Sequence, residues 1–288
     1  MTNSPTGKTW YDALQASATQ RFSHGLAVAS SFTWSRSFSY TRQEFYNPLS
    51  SEKQLLSTDR PLVFNININY TTQKAEFLNK FKFVNTLWKD WLVTWSSLYQ
   101  SGTLLTPPNA TTTNFLGGTS QMFRVPGVDL YLKDLNCHCL NPFQDQFLNP
   151  LAWTNPTSTG APDYTTNNSG GSINGIYGPS TFYNDFRGQR RPIESFNIGR
   201  NFRIKERMNF QIRAEFTNIL NRTFIGDPSN GAGINPPSPR VAIGRNAANQ
   251  ITSGFGTVNA TSTVGGFPTL GGNASLPRQG TLIGRFTF

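Results

Sequence analysis

Sustained alternation of apolar and polar residues is the feature that most limits how this chain can fold. In Leu62-Val63-Phe64-Asn65-Ile66-Asn67-Ile68-Asn69-Tyr70-Thr71, one set is Leu62, Phe64, Ile66, Ile68 and Tyr70, and the other is Val63, Asn65, Asn67, Asn69 and Thr71. Successive helical residues lie about 100° apart, so a helix would mix the two sets, whereas a strand sends them to opposite faces. The stretch Met208 to Thr217 repeats the pattern. There Met208, Phe210, Ile212, Ala214 and Phe216 oppose Asn209, Gln211, Arg213, Glu215 and Thr217. Fainter copies occur elsewhere, which predicts about seven strands near 11–22, 26–35, 61–71, 90–100, 192–204, 207–218 and 279–288. The fold class is all-β.

Strand length and charge then separate two kinds of all-β protein. Most of these segments have the ~9–11 residues that a tilted transmembrane strand needs, whereas strands of soluble domains average ~5–6. Charged residues make up 14% of the 288-residue chain, where roughly a quarter is usual. A soluble sandwich would carry more Lys and Glu on its outer faces. Aromatics reach 13%, too many for a chain that buries nothing. No apolar run approaches the ~20 residues of a membrane-spanning helix. The expected architecture is therefore an antiparallel transmembrane β-barrel segment. The alternative is a stand-alone surface or secreted binding module, an adhesin or lectin-like sandwich.

On the barrel reading, Phe64, Ile66, Ile68, Phe210, Ile212 and Phe216 face lipid. Their neighbours Asn65, Asn67, Asn69, Gln211, Arg213 and Glu215 face a watery lumen. Trp34, Tyr70, Trp91, Trp95 and Tyr99 fall near predicted strand ends on the apolar face, as the interfacial girdles of such barrels do. Ser23-His24-Gly25 and Lys205-Glu206-Arg207 are tight turns, while 36–60, 101–191 and 219–277 are long and rich in Asn, Pro, Gly, Ser and Thr. Short turns alternate with long external loops in outer-membrane barrels. If the C-terminus is periplasmic, all three long segments lie outside the cell. The 72–89 connection is longer than this scheme predicts.

Chemistry is sparse. The histidines are His24, in a turn, and His138, in a long loop, and no nucleophile elbow, phosphate loop or zinc-protease motif occurs. No carboxylate pair is spaced for acid–base work, so no enzyme and no cofactor is expected. Cys137-His138-Cys139 is a weak metal candidate, offering at most three soft donors and no second cluster. The net charge of +10 is concentrated in Arg187, Arg190, Arg191, Arg200, Arg203, Lys205, Arg207, Arg213 and Arg222. A solvated barrel interior and mouth accounts for these better than nucleic-acid binding does. Arg187, Arg190 and Arg191 would sit at the mouth and meet lipopolysaccharide phosphates or an anionic substrate.

Four stretches together resemble Oar-like TonB-dependent outer-membrane transporters. The first is Trp10-Tyr11-Asp12-Ala13-Leu14-Gln15 with Gln20-Arg21-Phe22-Ser23-His24-Gly25-Leu26 and Ser31-Phe32-Thr33-Trp34-Ser35. The second is Tyr99-Gln100-Ser101-Gly102 followed by Thr106-Pro107. The third is Phe210-Gln211-Ile212-Arg213-Ala214-Glu215-Phe216-Thr217-Asn218-Ile219-Leu220-Asn221-Arg222. The last is Pro277-Arg278-Gln279 through Gly284-Arg285-Phe286-Thr287-Phe288.

The resemblance implies a barrel of roughly 22 strands in the outer membrane, closed by a plug and preceded by a small carboxypeptidase-regulatory-like domain. This chain shows no signal peptide, plug or TonB box, so it matches the C-terminal segment of such a barrel, from a truncated or split reading frame. The implied partners are outer-membrane lipid and lipopolysaccharide, the rest of the barrel and plug, and TonB through the upstream parts. The closing Phe286 and Phe288 resemble the C-terminal signal by which the barrel-assembly machinery recognises its clients.

Overall fold

The computed structural model describes residues 7–40, 53–73, 88–113, 119–137, 139–155, 182–205, 208–230, 242–258, 263–264, 267–268 and 277–288. Seven long strands dominate it: β1 Lys8–Arg21, β2 Leu26–Tyr40, β3 Leu62–Thr71, β4 Trp91–Gln100, β5 Ile193–Lys205, β6 Met208–Thr217 and β7 Gln279–Thr287. They pair antiparallel in chain order as one meander, with the short strand Gln54–Leu55 added beside the far end of β2. Among the described residues β1 and β7 do not pair with each other, so both are edges. The first hairpin is longer than its sequence pattern suggested. β1 and β2 pair continuously from Lys8↔Tyr40 to Arg21↔Ala27, which carries residues 36–40 out of the expected loop and into strand.

The register gathers most apolar residues on one face of the sheet, although Leu92, Leu98 and Ile283 fall on the polar face and Asp12 and Arg36 on the apolar one. Residues directly opposite on paired strands share a face. Leu14 lies opposite Trp34, and Trp34 opposite Leu62. Phe64 lies opposite Tyr99, Ile68 opposite Trp95, and Trp95 opposite Phe196. Phe196 then meets Phe216, and Phe210 meets Phe286. On the reverse face Asn67 lies between Ala29 and Ser96, Asn197 between Thr94 and Glu215, and Gln211 opposite Arg285. Arg200 is a departure on the apolar side, where its guanidinium lies over Trp91 at 5.8 Å and Phe202 at 4.7 Å.

Nothing among the described residues covers that apolar face. Among the described residues, those buried in the seven strands are Ser35, Ser97, Glu194, Gly199 and Arg200. None is a hydrophobic side chain. Trp34 remains 55% exposed and Leu282 73%. A sandwich would need a second sheet packed about 10 Å away over this face, and the described residues contain none. The described sheet thus lacks the contact that defines a sandwich.

The hydrophobic core lies in the connections instead. Leu105, Ala110, Met122, Leu130, Leu148, Ala152, Trp153, Phe186 and Phe255 form one buried cluster, and Leu135, Phe147, Ile225 and Val258 a second. Trp153 and Phe186 meet edge-on with centroids 5.0 Å apart. These residues come from segments 101–155, 182–192 and 218–258, which the sequence pattern marked as loops of generic polar chemistry. They fold together as one cap at the end of the sheet where β4 and β6 finish and β5 and β7 begin.

At the opposite end the chain reverses tightly between β1 and β2. Phe22 N–H donates to the Leu26 carbonyl at 2.8 Å, and His24 and Gly25 take φ of 67° and 83°. A Cβ on Gly25 would sit 2.3 Å from the Thr71 carbonyl oxygen, so this turn is pressed against the end of β3. The β5–β6 turn includes Glu206 and Arg207, which lie outside the described residues, as does most of the 72–89 connection.

Gly25→Ala should therefore destabilise the folded sheet by more than the about 1–2 kcal/mol of a left-handed alanine. Gly127 has φ of 75° and nothing within 4 Å of a built Cβ, so Gly127→Ala should cost the backbone term alone. Urea titrations of the two variants in outer-membrane vesicles measure the difference, and equal midpoints would contradict the close approach at Thr71.

Candidate functional site

The cap is held to the sheet at the strand tops by ion pairs on buried carboxylates. Asp59 is fully buried and faces two guanidinium groups, Arg187 at 2.7 Å and Arg36 at 3.3 Å. Its other carboxylate oxygen accepts the Ser37 N–H at 2.7 Å. Arg187 also donates to the Asp59, Gly102 and Asn184 carbonyls. One side chain thus ties the segment before β5 to the segment before β3 and to the top of β4. An unpaired buried carboxylate would be costly, and paired and fully hydrogen-bonded it is tolerated.

Glu194 makes the second fastener. It is fully buried near the start of β5, and the Arg222 Nε–H is shared between its two oxygens at 2.9 and 3.1 Å. The turn that presents Arg222 is built by asparagines. Asn218 and Asn221 take φ of 49° and 50°, a conformation Asn tolerates better than most residues. The Asn218 side chain accepts the Arg222 N–H at 2.8 Å and donates to the Arg222 carbonyl at 2.9 Å. Asn221 in turn accepts the Arg278 N–H at 3.1 Å, joining the exit of β6 to the entrance of β7. The motif Asn218-Ile219-Leu220-Asn221-Arg222 is thus a joint between three strand ends.

Close backbone crossings complete the junction. A Cβ on Gly102 would lie 1.9 Å from the Gly188 carbonyl oxygen, so only glycine fits where the exit of β4 crosses the approach to β5. Arg191 pairs with Asp227 at 2.9 Å, and Gln189 accepts the Ile225 N–H at 3.0 Å. The Tyr131 hydroxyl accepts the Arg187 N–H at 2.6 Å and donates to the Arg187 carbonyl at 2.7 Å. Burial pushes the Tyr131 phenol up to about 12, against a smaller opposing effect of that backbone N–H.

Two adjoining clefts open in the cap. The larger, of about 660 Å³, is walled by residues including Cys137, Leu140, Gln189, Pro192 and 220–225, and the smaller, of about 430 Å³, by residues including Gly102, Tyr131, Asp134, Asp185 and Arg187. Asn136 and Arg190 line both.

The polar face of the sheet carries its own ladder. Asn67 donates to Asn65 at 3.0 Å, and Thr94 donates to Asn69 at 2.9 Å. Arg213 pairs with Glu215 at 2.6 Å, and its side chain lies over Gly199, where an added Cβ would come within 3.1 Å. On the apolar face Phe196 stacks on Phe216 at 6.3 Å, Phe202 on Phe210 at 6.3 Å and Phe64 on Tyr99 at 6.4 Å.

The structure brings Asn65, Asn67, Asn69, Gln211, Arg213 and Glu215 to one face, and Phe64, Ile66, Ile68, Phe210, Ile212 and Phe216 to the other. Trp34 and Tyr99 stand at the cap end of the apolar face, and Tyr70 and Trp91 at the turn end. Trp95 does not belong to either band, because its pairing with Ile68 and Phe196 puts it at mid-strand. Phe286 and Phe288 sit at the free end of the β7 edge with rings 6.2 Å apart, and Phe288 is 92% exposed.

Cys137 and Cys139 are joined to each other in a disulfide. Neither sulfur is then a thiolate, which removes two of the three donors of the weak metal candidate. His138 lies outside the described residues. Of Arg187, Arg190 and Arg191, the cations expected at a mouth, Arg187 and Arg191 are engaged by Asp59 and Asp227, and Arg222 of the same basic stretch is engaged by Glu194. Asp59, Glu194 and Tyr131 carry no local sequence signal, because their partners are distant in the chain. The Asn218–Arg222 joint had one, since it lies in a stretch that carried the family resemblance.

Residues 1–269 match the family described as Outer membrane beta barrel domain. The chain belongs to that family. Its place is accordingly the cell outer membrane, and the uncovered apolar face of its antiparallel sheet agrees with this. No curated protein and no solved structure matches it. Strand β7 lies beyond the matched residues, yet it pairs with β6 of this barrel domain along its whole length, from Thr217↔Gln279 to Asn209↔Thr287.

The raised phenol of Tyr131 gives the cap a measurable alkaline limit. A group whose folded pKa exceeds its unfolded value of 10.0 contributes stability that is complete below pH 10 and lost as pH rises through about 12. Tyrosine fluorescence and hydrogen exchange in 125–150 should show the cap loosening across that window. Tyr131→Phe should start from a less stable cap and lack this part of the alkaline loss. An unchanged alkaline profile would place the phenol in water.

Proposed function

We propose that this chain is a wall and external-loop portion of a TonB-dependent outer-membrane transporter that takes up a large or scarce solute. The observation that carries the reading is the open seven-stranded sheet whose apolar face is uncovered and whose two long edges are unpaired among the described residues. In lipid each unsatisfied backbone group on such an edge costs several kcal/mol, and further strands of one larger barrel would satisfy them. The resemblance of the β1–β2 hairpin, the top of β4, strand β6 and strand β7 to Oar-like transporters supports the same assignment.

On this reading the apolar face meets lipid and the polar face, with its Asn65–Asn67 and Arg213–Glu215 contacts, lines the lumen. The cap is extracellular and touches lipopolysaccharide and the solute. TonB would act on a plug supplied by other parts of the protein. The exposed end of β7, with Phe286 and Phe288, is the edge offered to the assembly machinery, where strand addition fixes register through backbone bonds and an aromatic anchor. The chain's part is structural and recognitive, with no catalytic step and no cofactor.

Facing is tested by single cysteines at 64 through 68 in the intact barrel. A water-soluble thiol reagent should label positions 65 and 67 and spare 64, 66 and 68, and labelling without a period of two would sink the assignment. The transporter reading itself is tested by the genomic DNA upstream of the Met1 codon. A continuous frame encoding a plug and TonB box is the expected result. A signal peptide fused directly before Met1, with no room for a plug, would overturn it.

A further inference from the structure

We propose that the larger cleft of the cap binds an anion carried on an apolar body, with Arg190 as its recognition cation. The proposal deepens the transporter reading by naming a solute class, though the cleft stands on its own geometry.

Three observations point there. First, the cleft lining is one-sided in charge. It contains Arg190 and Arg222 and no carboxylate, with Asn136, Gln189, Asn221 and Thr223 as neutral polar groups. Second, Leu140, Pro192, Leu220, Phe224 and Ile225 supply an apolar floor and rim. Its volume of about 660 Å³ falls in the range of small-molecule sites, which combine apolar walls with a few placed polar groups.

Third, Arg190 differs from the arginines around it. Arg187, Arg191 and Arg222 each hold a carboxylate across a strand junction. The Arg190 backbone N–H is fixed by the Asn136 side chain at 3.0 Å, yet among the described residues its exposed guanidinium makes no hydrogen bond or ion pair. The carboxylates of the neighbouring cleft do not claim it. Asp185 pairs with Arg124 at 2.7 Å, and Asp134 accepts from Asn136 at 2.9 and 3.2 Å. A guanidinium anchored at its backbone and otherwise unengaged, beside an apolar floor, suits a carboxylate or phosphate head on a hydrophobic body.

Two sources offer that chemistry, a free solute and the phosphorylated headgroup of lipopolysaccharide. The test uses outer-membrane vesicles carrying the full chain, with 2-naphthyl phosphate as fluorescent probe and no energy coupling. The probe should bind at least about ten-fold more tightly than uncharged 2-naphthol, the scale of one charge-assisted contact. Inorganic phosphate should compete only at far higher concentration, because it has no apolar body. Arg190→Gln should weaken probe binding about ten-fold, and Lys8→Gln, a charge removed from the β1 edge, should leave it unchanged.

Since the Arg190 side chain supports no other group among the described residues, its variant should assemble normally, which heat-modified gel mobility checks. Displacement of the probe by added lipopolysaccharide assigns the site to the headgroup, and persistence of binding assigns it to a free solute. Binding unaffected by Arg190→Gln, or equal affinity for 2-naphthol, would overturn the proposal. Either result would leave the transporter reading standing, because it says nothing of plug or TonB.

Discussion

Everything in this structure depends on register. Side chains alternate with a period of two, so a slip of one residue between any pair of strands would send an entire apolar set to the polar side. Apart from one shift at Arg203/Lys205, next to the β5–β6 turn, the six successive pairings avoid this, from Leu14 opposite Trp34 through to Phe210 opposite Phe286. The product is a surface of Trp, Phe, Leu and Ile that none of the described residues covers. In water such a face would drive collapse or aggregation. In a bilayer it is the side that belongs outward, and the family assignment and the physical chemistry agree on that solvent.

The second organising principle is the separation of duties between sheet and cap. The sheet has no buried hydrophobic side chain among its described strands, and holds its form through backbone pairing and cross-strand rings. The cap has an aqueous-style core around Trp153, Phe147 and Phe186. Between them the fastening is ionic. Asp59 and Glu194 are both fully buried, and each engages a guanidinium from a distant segment. Such pairs contribute little net stability against an apolar replacement, but removing one partner is expensive. They fix which loop sits on which strand top, a geometric role that an apolar contact would fill less specifically. The same arrangement leaves Arg190, which lines both clefts, without a carboxylate partner among the described residues.

The alternation in Leu62–Thr71 and Met208–Thr217 determined strand identity, the two faces and the all-β class, because that period is a property of the backbone and survives any tertiary context. Strand length and low charge determined the membrane reading, and chain order alone predicted the meander with its long connections at one end. Tertiary structure decided the rest. Residues 36–40 became strand because β1 was there to pair with them. Trp95 left the girdle because pairing partners, not its own neighbours, set its height in the sheet. The polar-looking connections acquired a core because Leu105, Trp153, Phe186 and Phe255 are scattered singly among Asn, Gly and Pro, with no period to reveal that they converge. Cys137 and Cys139 could pair, stay free or hold a metal by composition, and only the loop's path joined them. Asp59 with Arg187 and Glu194 with Arg222 lie beyond any local pattern, since the attraction between buried charges depends on distance in space and not on distance along the chain.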